Sequence, residues 1–444
     1  MPCREGELKL ENAVYHVTPN RREPWLDALS KGLADALPKN TYPLRFSIVA
    51  ASDERAVVEA TVVRFDSEHR YAKSLSAIEL FGPRRKTFQA QPFGVVQIIP
   101  TGVGCEIGGY AGDACPVTNL LASVVDVLVT HPNAVNASEL NEMGENVWYV
   151  EGKSLDDFLL GHLALLPVRS HKIGTFVDPT GREFLDDVVS TLDAARAVRG
   201  IDCGIYTILE RELDIRIGWS ETGCAVGTLG DPEAILEAVE LLVSQGASAV
   251  GGVSVIHGVT REMFSRHLRG EIPNPSGGVE AIITHLISKL FRLPTAHAPL
   301  PYYRSLKGRS TLNPRAAAEF ISTPHYFCVL KGLARAPQLV SLDGSNAAPA
   351  GAITLNHVGA IVVPASCLGG IPALAAERSD IPLIAVRENG TVLKVSNACM
   401  QMANVVEVGS YLEAVGVVAA LREGISLESL RRPLHPARRL DRPA

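Results

Sequence analysis

One local pattern constrains this chain more than any other: a short apolar run, a glycine-rich loop, then a helix start. It occurs first at 95–100 (VVQIIP), followed by Gly102, Gly104, Gly108, Gly109 and Gly112, and then by Cys115-Pro116. Proline suits a first helical position, and Leu120, Leu121, Val124, Val125 and Leu128 continue at helical spacing. It recurs at the far end as VGAIVVP (358–364), the Ser366-Cys367-Leu368-Gly369-Gly370 loop, a helix over 371–378 and a second strand over 381–386. A third copy lacks its strand: Pro273-Asn274-Pro275-Ser276-Gly277-Gly278 feeds the helix AIITHLISKLF. Short apolar runs without a polar face suit strands buried on both sides, the condition of a parallel sheet covered by helices.

Between these landmarks the alternation continues. Strands are expected at 164–168, 173–177, 204–209 and 247–256, and helices at 184–198 and 231–245, with a last helix over 411–421. The expected fold class is α/β, with mainly parallel sheets flanked by helices in two α/β units, 91–270 and 271–425. Residues 1–90 form a small α+β unit with a helical stripe over 23–37 and β-rich runs in PLRFSIVAA and AVVEATVVRF; nothing there looks chemical, and it reads as an accessory or dimerisation module. The basic loop Gly82-Pro83-Arg84-Arg85-Lys86 marks its boundary. Residues 426–444 are a basic, proline-rich tail expected to be disordered.

Composition narrows the partners. A chain of 444 residues that is 46% hydrophobic and carries a net charge of −6 has no basic surplus for nucleic acid. No apolar stretch approaches the roughly 20 residues of a membrane span, and the first residues lack a signal peptide's apolar core, so a cytoplasmic location is expected. The eight cysteines are dispersed without a CxxC pair, which fits free thiols rather than disulfides or zinc ligands.

The chemistry-bearing residues gather near the glycine loops. THPNAVNASELNEMGEN places His131, Asn133, Asn136 and Glu139 in one polar span directly after an apolar segment, where binding groups concentrate. Glu280 and His285 sit at the start of the helix after Gly277-Gly278, and His297 follows in the rigid PTAHAPLPYY. Cys115 and Cys367 each lie at a strand's carboxyl end beside a helix start, where the helix dipole lowers a thiol pKa.

The stretches IIPTGVGCEIGGYAGDACPVTNLL, NPSGGVEAIITH, PTAHAPL and VVPASCLGGIPALAAERSDIPLIAVREN resemble the family known as domain of unknown function 3326, over about residues 93–410. That resemblance implies no activity. AIVVPASCLGGIPALAAERSDIPLIAV is also similar in rhythm to the aspartate/glutamate racemase superfamily, in which two thiols from two α/β halves flank the α-carbon of a small carboxylate. Only Cys367 matches there, Leu368 replaces that family's Asn-Thr pair, and Cys115 enters as a partner by topology alone.

The expected function is that of a metal-independent enzyme of the lyase or isomerase group, acting on a small anionic carboxylate at a cleft between units. Cys367, Cys115, Glu106 and His285 are the acid, base or nucleophile candidates. Gly108, Gly109, Gly277, Gly278, Gly369 and Gly370 would hold the anion at helix starts, and His131, Asn133, Asn136, Glu139, Asn274, Glu280 and His297 would bind substrate. No cofactor is indicated, the partner is a small anion rather than nucleic acid or membrane, and a homo-oligomer is compatible with the chain. The alternatives are a small-molecule or nucleotide-binding regulator without turnover, a hydrolase, and a metal enzyme using His131, Glu139 and Glu142 or His285 and His297.

Overall fold

A computed structural model describes residues 8–19, 23–52, 54–76, 91–136, 143–300, 313–320, 325–342, 347–437 and 439. The chain opens with β1 (Leu8–Val17), helix α1 (Trp25–Ala36), β2 (Thr41–Ala51), β3 (Ala56–Phe65) and the short α2 (Ala72–Ser76). The three strands form an antiparallel sheet in the order β1-β3-β2. This is the expected α+β unit, but it is built into the body rather than hung on it. Trp25 is fully buried and its Nε1 donates to the Met400 carbonyl at 2.8 Å, Arg378 pairs with Asp27 at 3.1 Å, and Ile48 N donates to the Gly369 carbonyl at 2.8 Å. Its apolar residues enter two of the large cores, Phe46, Ile48 and Val58 in one and Leu8, Leu10 and Tyr42 in another.

The body begins with β4 (Gly94–Gln97), α3 (Cys115–Ala122), β5 (Val127–Thr130), α4 (Pro132–Val135), β6 (Val147–Tyr149), α5 (Gly152–Leu159) and β7 (Leu163–Leu166). The helical spacing that runs from Leu120 to Leu128 in sequence is broken in space: α3 stops at Ala122 and Leu128 lies in β5, fully buried on the sheet. A second series follows: β8 (Ile173–Val177), α6 (Leu185–Arg199), β9 (Ile205–Ile208), the hairpin β10 (Ile215–Trp219) and β11 (Ala225–Leu229), α7 (Glu233–Ser244) and β12 (Ala249–Ser254). Next come α8 (Arg261–Leu268), α9 (Gly277–Phe291), β13 (Thr295–Pro299), α10 (His325–Ala334) and β14 (Gln338–Ser341). The last series is β15 (Val358–Pro364), α11 (Ile371–Arg378), β16 (Leu383–Val386), α12 (Asn397–Met400), β17 (Val405–Val408) and α13 (Tyr411–Arg422). In the tail, residues Leu427–Leu430 form a 3-10 turn.

Two parallel sheets flanked by helices result, as an α/β fold requires. The larger has six strands in the order β17-β16-β15-β4-β5-β6, and the smaller has four, β13-β12-β8-β9. The larger sheet joins strands from residues 94–149 to strands from 358–408, and the smaller joins β13 to strands before residue 270. The division expected at 270/271 therefore does not coincide with a sheet boundary. The chain leaves the six-stranded sheet after β6, builds the four-stranded one, and returns at β15.

Candidate active site

Three adjacent parallel strands of the larger sheet deliver their carboxyl ends to one place, the position where α/β sheets bind ligands. After β4 come Ile99 and Thr101, after β5 comes His131, and after β6 comes Glu151. The opposite wall is α9, whose Glu280, Ala281, Thr284 and His285 face the same space, together with His297 from β13 of the smaller sheet. These groups, with Pro132, Asn133, Asn136 and Gly152, enclose a pocket of about 70 Å³ between the two sheets. Six of the residues expected to bind or act, His131, Asn133, Asn136, Glu280, His285 and His297, thus meet in a single pocket.

Its chemistry centres on imidazole–carboxylate pairs. Glu151 caps α5, with Oε2 accepting from the amides of Lys153 at 2.8 Å and Ser154 at 3.1 Å. Its Oε1 accepts from Thr284 Oγ1 at 3.0 Å and from His285 Nδ1. Burial pushes the Glu151 carboxyl up, but the facing His285 charge, its hydrogen bond and the Ser154 amide outweigh burial and hold it below its usual range. An imidazole whose Nδ1–H is held by a carboxylate presents Nε2 as the working nitrogen. Gly152 makes room for this ring: a Cβ there would lie 3.0 Å from His285 Cε1. A second pair faces it, His297 Nδ1 lying 3.7 Å from Glu280 Oε2 while His297 Nε2 is 2.8 Å from Ser254 Oγ.

His131 is different in kind. Its Nε2 accepts from the Ile99 amide at 3.0 Å, so the ring keeps its proton on Nδ1 when neutral. Burial lowers its pKa to about 4, opposed by Glu151 and reinforced by His285, which keeps it neutral at pH 7. A neutral imidazole of this kind donates a hydrogen bond without carrying charge. Asn136 Oδ1 accepts from Tyr149 at 2.6 Å, whereas the buried Asn133 Nδ2 and His297 Nδ1 have no hydrogen-bond partner among the described residues. Unmet buried donors lining a pocket are costly unless an acceptor enters it.

The other expected residues lie elsewhere. The glycines at the helix starts make room for the protein's own atoms. A Cβ on Gly108 would lie 2.7 Å from Ala114 Cβ, on Gly109 2.4 Å from Cys105 N, on Gly277 2.7 Å from Thr101 Cγ2 and on Gly278 2.5 Å from Ala225 O. On Gly369 it would lie 1.9 Å from Ile48 O, and Gly370 forms a bridge with Ser47. Asn274 turns inward on its own loop, its Oδ1 accepting from Ser276 N at 3.0 Å. Glu106 pairs with Arg315 at 2.7 Å, and that guanidinium sits over the Tyr110 ring; none of the three lines the histidine pocket. Glu139 and Glu142 lie outside the described residues.

Cys367 takes a different character from the one its helix start suggests. Cys367 is buried against Thr391 Oγ1 at 3.4 Å, and burial pushes its pKa up to about 11 in spite of hydrogen bonds from Thr391 and Ser366. Cys115 accepts from its own helix neighbour Asn119 at 3.4 Å. Neither lines the histidine pocket. The seven described cysteines are free thiols. Among the described residues, no three His, Cys, Asp or Glu side chains are grouped to hold a metal ion.

Glu151, Thr101 and Thr284 belong to the site although the sequence did not single them out. Glu151 carried a usable signal, because it stands where Cys115 and Cys367 stand, between a strand end and a helix start.

Fold and pocket define an α/β protein with a buried imidazole–carboxylate cleft between two parallel sheets. The family described as a protein of unknown function, DUF3326, matches residues 94–431, and the chain belongs to it. It is similar to an uncharacterized lipoprotein of Synechococcus sp., with 34% identity over 337 residues that cover 76% of this chain and 92% of that protein. No solved structure matches. Among the described residues, no helix is long and apolar enough to cross a membrane.

Proposed function

We propose that this protein is an enzyme that moves protons on a small carboxylate or carbonyl compound, in the lyase or isomerase group. The observation that carries the reading is the convergence of two imidazole–carboxylate pairs and one neutral histidine on a single pocket at three strand ends. His285, held by Glu151, is the base, and proton transfer by such a group accelerates a reaction by about 10²- to 10⁴-fold. His297 of β13, beside Glu280 of α9, is the partner acid. The His131 Nδ1–H and the unmet Asn133 amide bind the substrate's oxygen and stabilise the charge that develops on it. A volume of about 70 Å³ fits the reacting end of a small molecule rather than a whole large one. The buried thiols take no part in this scheme.

The test is solvent deuterium exchange. A panel of 2-oxo, 2-hydroxy and 2-amino acids is incubated with the protein in deuterated water and followed by proton NMR for loss of carbon-bound hydrogen or appearance of product. Wild type should exchange or convert at least one member, and His285→Asn and Glu151→Gln should each slow that by 10²-fold or more. Exchange that persists unchanged in His285→Asn refutes the assignment. A carboxylate that binds to wild type without exchange or conversion favours a ligand-binding regulator instead.

A further inference from the structure

Tyr149 joins the histidine pocket to a second, larger cleft. Its hydroxyl bonds Asn136 of the pocket, while its ring lines a cavity of about 570 Å³ along β6, the edge strand of the six-stranded sheet. The far wall is α10, which lies directly on the ring: a Cβ on Gly332 would sit 2.7 Å from Tyr149 Cζ. Around this floor stand four cations, Arg169, Arg199, Lys331 and Arg335, against one carboxylate, Glu145. In a chain with a net charge of −6, that concentration of positive charge runs against the whole.

Arg169, Arg199 and Arg335 are exposed, and none of their guanidinium groups has a hydrogen bond or ion pair with a described residue. Like charges gathered in one concavity repel one another and raise the potential inside it, an arrangement stabilised by an anion shared among them. Guanidinium groups suit phosphate oxygens, which they bind through two parallel hydrogen bonds. The cavity also falls within the 300–1,000 Å³ range of small-ligand sites, well above what one inorganic ion needs. We propose that the cleft binds a phosphorylated organic ligand of about nucleotide size, its phosphates on Arg169, Arg199 and Arg335 and its organic part along Trp148 and Tyr149. The proposal does not rest on the acid–base chemistry of the neighbouring pocket.

Isothermal titration of the full chain with ATP, and separately with inorganic pyrophosphate, tests it. Both should bind wild type, with affinity falling as salt rises. Arg169→Ala and Arg335→Ala should each weaken binding about tenfold, the double variant more, and Arg335→Glu more than Arg335→Ala. His285→Asn should bind as wild type does, which separates this site from the reading of the pocket. The arginines are exposed, so the variants should keep the far-ultraviolet circular dichroism of wild type. Absence of binding to wild type overturns the proposal, as does binding unchanged in the double variant. Tighter binding of a short oligonucleotide than of ATP overturns it in favour of a nucleic-acid surface.

Discussion

Replacing His131 with Gln isolates a strongly perturbed group in the pocket. The His131 pKa is about 4 against an ordinary 6.5, because the ring is buried and has only the Ile99 amide to accept from. As pH falls through 6.5 the unfolded chain takes up a proton that the folded chain refuses until about pH 4, so folding stability is lost across that window. At 1.36 kcal/mol per pKa unit the loss approaches about 3 kcal/mol by pH 4. Gln keeps an oxygen near the position of Nε2 for the Ile99 amide but cannot titrate. At pH 7.5 the two proteins should therefore differ by about 1 kcal/mol or less, the usual worth of one repacked hydrogen bond. Urea unfolding at pH 7.5, 6.5, 5.5 and 4.5 should show the variant losing less stability on acidification, by about 2–3 kcal/mol over the range. Titrating groups that do not interact with His131 affect both proteins alike and cancel in the difference. Parallel acid limbs would refute the claim that His131 is held neutral by burial.

Two further outcomes test the reassigned residues. Gly369→Ala should cost about 2–4 kcal/mol in urea unfolding, because its Cβ would meet Ile48 O and break the 2.8 Å bond from Ile48 N; a loss under about 1 kcal/mol would show that the contact relaxes cheaply. Cys367, with its pKa pushed up to about 11, should react with iodoacetamide at pH 8 far more slowly than an unfolded thiol, and Cys367→Ser should leave any deuterium exchange in place. Rapid alkylation of the folded protein at that residue would restore the case for a reactive thiol.

Much of the architecture was legible because burial on both faces leaves an unmistakable pattern. Residues 173–177, 358–364 and 371–378 form the expected elements at the expected bounds. The strand β5 was hidden because Leu120, Leu121, Val124, Val125 and Leu128 satisfy a 3.6-residue period even though Ser123–Asp126 turns between helix and strand. Strand β1 and the β10–β11 hairpin mix polar and apolar residues on half-exposed edges, where the pattern is weak. In the site, His131, Asn133 and Asn136 were visible as polar groups crowded after an apolar strand, and Glu280 and His285 as polar groups at a helix start. The glycines misled, since a glycine that admits a ligand and one that admits a neighbouring backbone look alike in sequence. Gly369 belongs to the second kind, and only the position of Ile48 in space reveals it. Cys367 misled for a related reason: a helix start favours the thiolate, but near-complete burial disfavours it more.

The docking of the first sheet separates two boundaries that are easily equated. Shared ancestry is detectable from residue 94 onward, yet Trp25, Phe46, Ile48 and Val58 complete a core whose other members include residues of α5, α11, β15 and the segment around Met400. The stretch that carries the family's signature thus shares its core with residues that lie before it. A chain trimmed to it would leave an apolar seam open to water and the Gly369 carbonyl without its donor, and such a fragment should aggregate more readily than the whole chain.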